Sequence, residues 1–123
     1  MSVIKHDQTP LTPMGDCGKY YVAHGENAML LAVEFSDCPT DEPIPLHSHP
    51  HEQITYVVEG EIIFYLDGEP HRMQAGDMIV TPPNVPHTIR MLSPRFRAVD
   101  VFTPLRDDLI AQARQFAHNT DDE

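Results

Sequence analysis

Pro45-Leu46-His47-Ser48-His49-Pro50-His51-Glu52-Gln53 is a short segment with four side chains able to bind a metal ion: His47, His49, His51 and Gln53. Two residues separated by one position project to the same side of an extended chain, so His47 and His49 can reach one ion through neutral imidazoles. Because Pro50 bends the chain, we expect His51 to be a pocket residue rather than a ligand. A further ligand has to come from across the sheet.

The sequence around this segment alternates between apolar and polar residues over short stretches bounded by turn residues. This pattern is typical of an antiparallel sandwich or barrel. Strands are predicted at 53–58, 61–66, 77–81, 87–91 and 96–102, with a further strand after the Asp67-Gly68 turn and a rigid loop at 82–86. We therefore expect one all-β domain over 1–123, with the barrel at about 19–103, a C-terminal helix at about 106–118 and a frayed tail at 119–123.

The net charge and the cysteine content limit the kinds of partner and the cellular compartment that we expect. The formal charge of −11 disfavours nucleic acid and anionic membrane surfaces. Cys17 and Cys38 form no recognisable framework, so we expect two separate thiols in a reducing compartment, and a structural disulfide is the alternative. With neither a signal-like start nor an apolar run long enough to span a bilayer, a cytoplasmic location is expected.

Two motifs resemble those of the cupin family. The first is His47-x-His49-x-x-x-Gln53 followed by six residues and Gly60, with Gln53 where the family usually has glutamate. The second runs from Gly76 to His87, with Asn84 in place of a glycine. The resemblance implies a double-stranded antiparallel barrel and adds His87 as the remaining ligand, giving a metal site of His47, His49, Gln53 and His87. The alternative is a metal-free cupin whose histidines only line a cavity.

The glutamine changes the expected chemistry of such a centre. Three imidazoles and one amide oxygen are all neutral, so a divalent ion would keep its charge and act as a strong Lewis acid towards anionic ligands. Nickel, zinc, manganese and iron all suit these ligands.

A second group of residues, near the C-terminus, extends the resemblance. Phe96, Ala98, Asp100 and Phe102 alternate on one strand face, and an acid there is costly unless it meets water, a partner or a ligand. The alternative is an outward Asp100 on a strand whose inner face is formed by valines. Arg106 follows the Pro104 turn and can reach over the barrel mouth. The alternative is an arginine on the surface of the helix.

The segment from Asp100 to Asp108, together with both motifs, resembles the KdgF family of pectin and alginate catabolism. The resemblance implies conversion of 4,5-unsaturated uronate monosaccharides to linear ketonised 5-keto-4-deoxyuronate products, an isomerase-type ring opening without redox chemistry. It implies Asp100 as the acid–base group, Arg106 as a catalytic residue and a clamp for the substrate carboxylate, and Phe102 as a wall of the substrate pocket. Two alternatives remain, a cupin oxygenase with a redox metal and a sugar-binding module without turnover. For each of these three functions we expect a homodimer.

Overall fold

The computed structural model describes residues 3–121. A short 3₁₀ turn at His6–Gln8 precedes nine β-strands and one α-helix in this part of the chain. The elements are β1 (Thr12–Met14), β2 (Gly18–His24), β3 (Met29–Ser36), β4 (Glu52–Glu59), β5 (Glu61–Leu66), β6 (Glu69–Gln74), β7 (Met78–Thr81), β8 (His87–Met91), β9 (Arg95–Thr103) and α1 (Asp107–Asp121).

The strands form two sheets, and every described pairing between them is antiparallel. One sheet has six strands in the order β1-β2-β3-β9-β4-β7, and the other has three in the order β6-β5-β8. The predicted all-β fold with a C-terminal helix is confirmed. Alternation along β3 buries Met29, Leu31, Val33 and Phe35 between the sheets, where they meet Ile62 and other residues of the smaller sheet.

Left-handed backbone conformations occur at the turns where the sequence predicts them. Asp67 and Gly68 both have positive φ, 51° and 82°, which is the conformation of a tight two-residue hairpin turn. Asn84 has a φ of 65° and so takes the conformation that a glycine would otherwise supply. At Gly60, with a φ of 93°, an added Cβ would also collide with the carbonyl oxygen of Arg95.

Helix α1 begins and ends close to the predicted positions but is longer. It continues to Asp121, through residues for which a frayed tail was expected, and Asp122 and Glu123 lie outside the described residues. Leu109 and Ile110 bury its apolar side against the core, and the hydroxyl of Tyr20 donates a hydrogen bond to the Leu109 carbonyl at 2.7 Å. These contacts fix the first turn of the helix beside the sheet.

The expectation of two separate thiols was wrong. Cys17 and Cys38 form a disulfide, with their Cα atoms 5.5 Å apart. The two residues lie just beyond the same end of the β2–β3 pairing, where Gly18 lies opposite Phe35. Their proximity depends on that strand register, which the spacing of two cysteines in the sequence does not reveal.

Candidate metal centre and its cavity

Backbone contacts bring the two histidine-bearing segments together. The amide of His47 donates to the carbonyl of His87 at 3.1 Å, and the amide of His87 donates back to His47 at 2.9 Å. The amide of Asn84 donates to the carbonyl of His49 at 2.7 Å. The left-handed turn at Asn84 therefore holds the 82–86 loop against the segment that carries His47 and His49.

The side chains of His47, His49 and His87 converge, with one nitrogen of each within 4.8 Å of the others. The Nδ1 atom of each ring faces a backbone carbonyl, which leaves Nε2 as the nitrogen available for a ligand. These contacts are His47 to Pro45 at 3.4 Å, His49 to His51 at 3.0 Å and His87 to Val85 at 2.9 Å. Carbonyls in these positions select the tautomer and fix the ring orientation, as is usual behind metal-binding histidines.

Burial makes all three imidazoles weak bases. Desolvation lowers the pKa of His47 and His49 below the ordinary value, and it lowers the pKa of His87 to about 4. The rings are therefore neutral near pH 7, which is the form that binds a metal.

Gln53 completes the cluster through its amide oxygen. Its Oε1 atom lies 3.0 Å from Nε2 of His49, while its Nε2 atom donates to Thr55 and to Asp100, both at 3.1 Å. Because His49 directs Nδ1 to a carbonyl, its neutral ring presents a lone pair to the glutamine oxygen, which is also an acceptor. A cation shared by the two atoms resolves that conflict.

The cluster also contains an unsatisfied nitrogen. Nε2 of His87 is buried and has no hydrogen-bond partner among the described residues. A buried polar atom left in this way is costly unless a ligand meets it. The donor set of three imidazoles and one amide oxygen therefore fits a divalent cation, with His47, His49, Gln53 and His87 as the residues that would hold it.

Asp100 lies beside this cluster, on the inner face of the sheet. It sits on β9 directly opposite Thr55 of β4, and its Oδ1 accepts hydrogen bonds from Thr55 and Gln53. Desolvation raises the pKa of Asp100 to about 6, and the two hydrogen bonds act in the opposite direction. The carboxyl group borders the cavity rather than the outer surface.

Arg106 approaches the same cavity from the segment before α1. Its guanidinium forms two contacts with Asp108, at 3.0 and 2.7 Å, and lies 5.3 Å from the centre of the Phe102 ring. Only 16% of the Arg106 side chain is exposed. The Arg106 guanidinium holds the pKa of Asp108 below its ordinary value.

The remaining predicted residues divide between the cavity and its surroundings. Phe102 lines the cavity, with its ring centre 5.5 Å from that of His49. His51 is not part of the three-histidine cluster, and its Nε2 atom meets the carbonyl of Leu105 at 3.1 Å. This contact connects the segment before Arg106 to the segment that carries His47 and His49.

The sequence did not predict a role for two residues that contact the site, Thr55 and Asp108. Thr55 lies two positions after Gln53, so the spacing places it on the same strand face, but the sequence does not show that Asp100 lies opposite. Asp108 follows Arg106 by two residues and pairs with it at the start of α1.

The cavity has a volume of about 500 Å³ and runs into the space between the two sheets. Its polar lining includes His47, Gln53, Asp100 and Arg106. Most of the remaining wall is apolar. A cavity of this size with a few convergent polar groups is typical of a small-molecule site.

The fold and this arrangement of histidines define a cupin. The sequence profile of the cupin domain matches residues 36–102, so the chain belongs to the cupin family. A structure of KdgF from Halomonas sp. superposes with a TM-score of 0.79 at 30% identity, covering 88% of this chain and 99% of that one. The chain is thus a KdgF-like cupin. An RmlC-like cupin from Shewanella frigidimarina gives a TM-score of 0.77 at 29% identity, covering 86% and 93% of the two chains.

A curated relative matches a shorter region. Dimethylsulfoniopropionate lyase DddQ from Ruegeria pomeroyi is 36% identical over 56 residues, which is 45% of this chain. The match spans only 28% of the length of DddQ.

No helix in residues 3–121 has the length and hydrophobicity required to cross a membrane.

Proposed function

We propose that this protein converts 4,5-unsaturated uronate monosaccharides, released from pectin or alginate, into linear 5-keto-4-deoxyuronates. The observation that carries the proposal is the position of Asp100, a carboxyl group beside the three histidines and Gln53, in a cavity that Arg106 also enters. The similarity to KdgF over nearly the whole of both chains supports the same family of substrates.

The substrate is a cyclic enol ether beside a carboxylate, so opening its hemiacetal leaves an enol that tautomerises to an α-keto acid. A bound divalent ion, which we propose is nickel, zinc, manganese or iron, supplies Lewis-acid stabilisation of negative charge on oxygen. Asp100 takes a proton from the C1 hydroxyl or delivers one to C4, as a general acid–base group does. In the metal-free chain, burial raises the pKa of this carboxyl group to about 6. Proton transfer by Asp100 needs no electron acceptor.

Arg106 and Phe102 position the substrate. The guanidinium of Arg106 still has N–H groups not used by Asp108, and it pairs with the uronate carboxylate in the cavity. Phe102 supports the guanidinium from below and forms the apolar wall on that side.

The direct test is to mix metal-loaded protein with unsaturated uronate made by a polysaccharide lyase. The expected result is faster loss of the ultraviolet absorbance of the conjugated double bond, together with appearance of the α-keto acid by NMR. Asp100→Asn is the matched control, because it preserves the shape of the side chain and removes the proton transfer. Equal rates with and without the wild-type protein would exclude this activity.

A lyase acting on dimethylsulfoniopropionate is a second candidate. The match to DddQ supports it, and so do Asp16 and Glu42, which line the same cavity as Arg106 and provide negative charge for a sulfonium group. Release of dimethyl sulfide, measured by gas chromatography in the same preparation, separates the two activities.

The oxygenase and the sugar-binding module are tested with the same protein. Oxygen consumption that depends on the uronate would indicate the oxygenase. Uronate binding by calorimetry without any turnover would indicate the binding module.

We propose that the chain also forms a homodimer, through the outer face of the six-stranded sheet. Two rows of apolar residues cross four strands there. The rows are Leu30, Val101, Ile54 and Val80, and beside them Ala32, Val99, Tyr56 and Met78. A stable interface buries roughly 800 Å² on each partner, and a face of this breadth can form its apolar centre.

A second copy is the occupant because a two-fold axis places the same apolar face on both sides of the interface. The charge of −11 over the rest of the molecule disfavours other self-contacts. Light scattering after gel filtration should therefore give twice the chain mass. Met78→Glu should give a monomer, whereas Leu46→Glu should not, because Leu46 is exposed in the segment that is hydrogen-bonded to β8 of the smaller sheet. A wild-type monomer at every concentration would contradict the dimer.

The cytoplasmic location remains a prediction, and the disulfide argues against it, because disulfides persist mainly in oxidising compartments. Thiol labelling of the protein in intact cells of its source decides between the two. Labelled Cys17 and Cys38 would support the cytoplasm, and unlabelled cysteines would support an oxidising compartment.

A further inference from the structure

We propose that Thr55 is a positioning residue, which fixes the amide of Gln53 with its oxygen towards the three histidines and directs one oxygen of Asp100 away from the cavity. This inference rests on the metal centre and not on the proposed uronate activity.

Strand register brings the three side chains together. Gln53 and Thr55 lie two positions apart on β4 and therefore on the same face, and Thr55 pairs directly with Asp100 on β9. Thr55 and Gln53 are both buried. The group is thus held by two paired strands and not by a loop.

The hydrogen bonds among these side chains allow only one orientation of the amide. The Thr55 hydroxyl has a single hydrogen, which it donates to Oδ1 of Asp100, so its oxygen is free to accept from Gln53. Oδ1 of Asp100 accepts from Gln53 as well. The nitrogen of the amide therefore faces Thr55 and Asp100, and its oxygen faces His49.

This orientation matters because only the amide oxygen can bind a cation. If the amide turned over, it would present N–H groups to the histidines, and the centre would lose its fourth ligand. The same contacts occupy Oδ1 of Asp100, which leaves Oδ2 as the oxygen for substrate. Outer contacts of this kind typically change metal affinity by about 10-fold to 100-fold.

The test compares three variants by their binding of cobalt(II), a probe whose visible spectrum reports its ligands. Thr55→Val keeps the branched shape and removes the hydroxyl, and we expect it to weaken cobalt binding about 10-fold or more and to change the spectrum of the bound ion. Thr55→Ser restores the hydroxyl and should restore both. Thr55→Val with wild-type affinity and an unchanged spectrum would overturn the proposal.

Thr81→Val is the matched control. Thr81 is fully buried, lies directly opposite Gln53 on β7, and its hydroxyl has no hydrogen-bond partner among residues 3–121. The same substitution there should leave cobalt affinity and spectrum at wild-type values. A purely structural role for Thr55 predicts that Thr55→Val changes the stability of the metal-free protein and leaves the cobalt spectrum unchanged.

A measurement on the wild-type protein covers the case in which Thr55→Val does not fold. In NMR spectra of the metal-free and zinc-loaded forms, the side-chain amide protons of Gln53 should show contacts to Thr55. Contacts to the ring of His49 instead would overturn the assignment. A protein inert towards uronate, yet with cobalt binding that depends on Thr55, would exclude the proposed function and leave this inference standing.

Discussion

The two faces of strand β4 differ in a way that is the reverse of an ordinary sheet. The inner face presents Gln53 and Thr55, both nearly inaccessible to solvent, before Val57 joins the core. The outer face presents Ile54 and Tyr56, which are 39% and 44% exposed. Polar groups thus lie inside and apolar groups outside along the same few residues.

The composition of each face has its own physical explanation. Buried polar groups cost free energy unless they are hydrogen-bonded, and on the inner face Gln53 and Thr55 are bonded to each other and to Asp100. Among the residues that the structure describes, the outer face has no such network, and it carries a broad apolar surface, which in soluble proteins often marks an interface. The inner face therefore suits a ligand, and the outer face suits a partner.

The largest expected effect is the loss of stability caused by a charge on the inner face of β4, compared with the same charge on the outer face. Val57→Asp buries an unpaired carboxylate in the core and should lower the free energy of unfolding by about 4 kcal/mol or more. Ile54→Asp, on the outer face, should leave a folded chain. Urea unfolding at low protein concentration measures both, and equal losses would show that the two faces are equally buried in solution.

Removal of the metal should lower the stability of the protein through the inner face, whether or not the outer face has been changed. An ion present at 100 times its Kd adds about 2.7 kcal/mol to the free energy of unfolding if it binds only the folded chain. Chelation should therefore lower the melting temperature of the wild type and of Ile54→Asp alike.

His87→Ala should melt at the same temperature with and without chelator, because it lacks one of the converging imidazoles. Elemental analysis should find far less than one ion per chain in this variant. A wild-type protein that takes up no ion on reconstitution would contradict the metal centre.

Asp100→Asn should lower turnover of the uronate about 100-fold or more, since acid–base catalysis typically contributes 10² to 10⁴. Metal content should not change. Val101→Thr changes the adjacent outward residue of β9 and should retain wild-type turnover. Wild-type rates for Asp100→Asn would remove Asp100 from the mechanism and leave its role as a hydrogen-bond acceptor for Gln53.

Arg106→Ala should have the smallest effect, a rise in KM of about 10-fold with a lesser change in kcat, because a clamp that holds ground and transition states equally acts on binding. Steady-state kinetics over a range of uronate concentrations separates the two constants. Arg114→Ala removes an exposed arginine of α1 and serves as the control. A fall in kcat alone would instead place Arg106 at the reacting atoms.

Much of the fold was determined by the sequence because its signals are local. The strand positions follow from alternation, and the turns at Asp67-Gly68 and Asn84 follow from residues that tolerate a left-handed backbone. The spacing of His47 and His49 placed two imidazoles on one side of an extended chain. The extension of α1 to Asp121 was missed, because helix ends depend on packing that the sequence pattern does not show.

Only the tertiary structure decided which distant residues meet. The β2–β3 register brought Cys17 and Cys38 into a disulfide, and the β4–β9 register placed Asp100 opposite Thr55. The same registers spread the apolar residues of four strands into one outer surface. Pairing between strands is a non-local property, since a shift of one residue reverses every face. The sequence therefore supplied the candidate ligands, and the sheet supplied the hydrogen bonds that orient Gln53 among them.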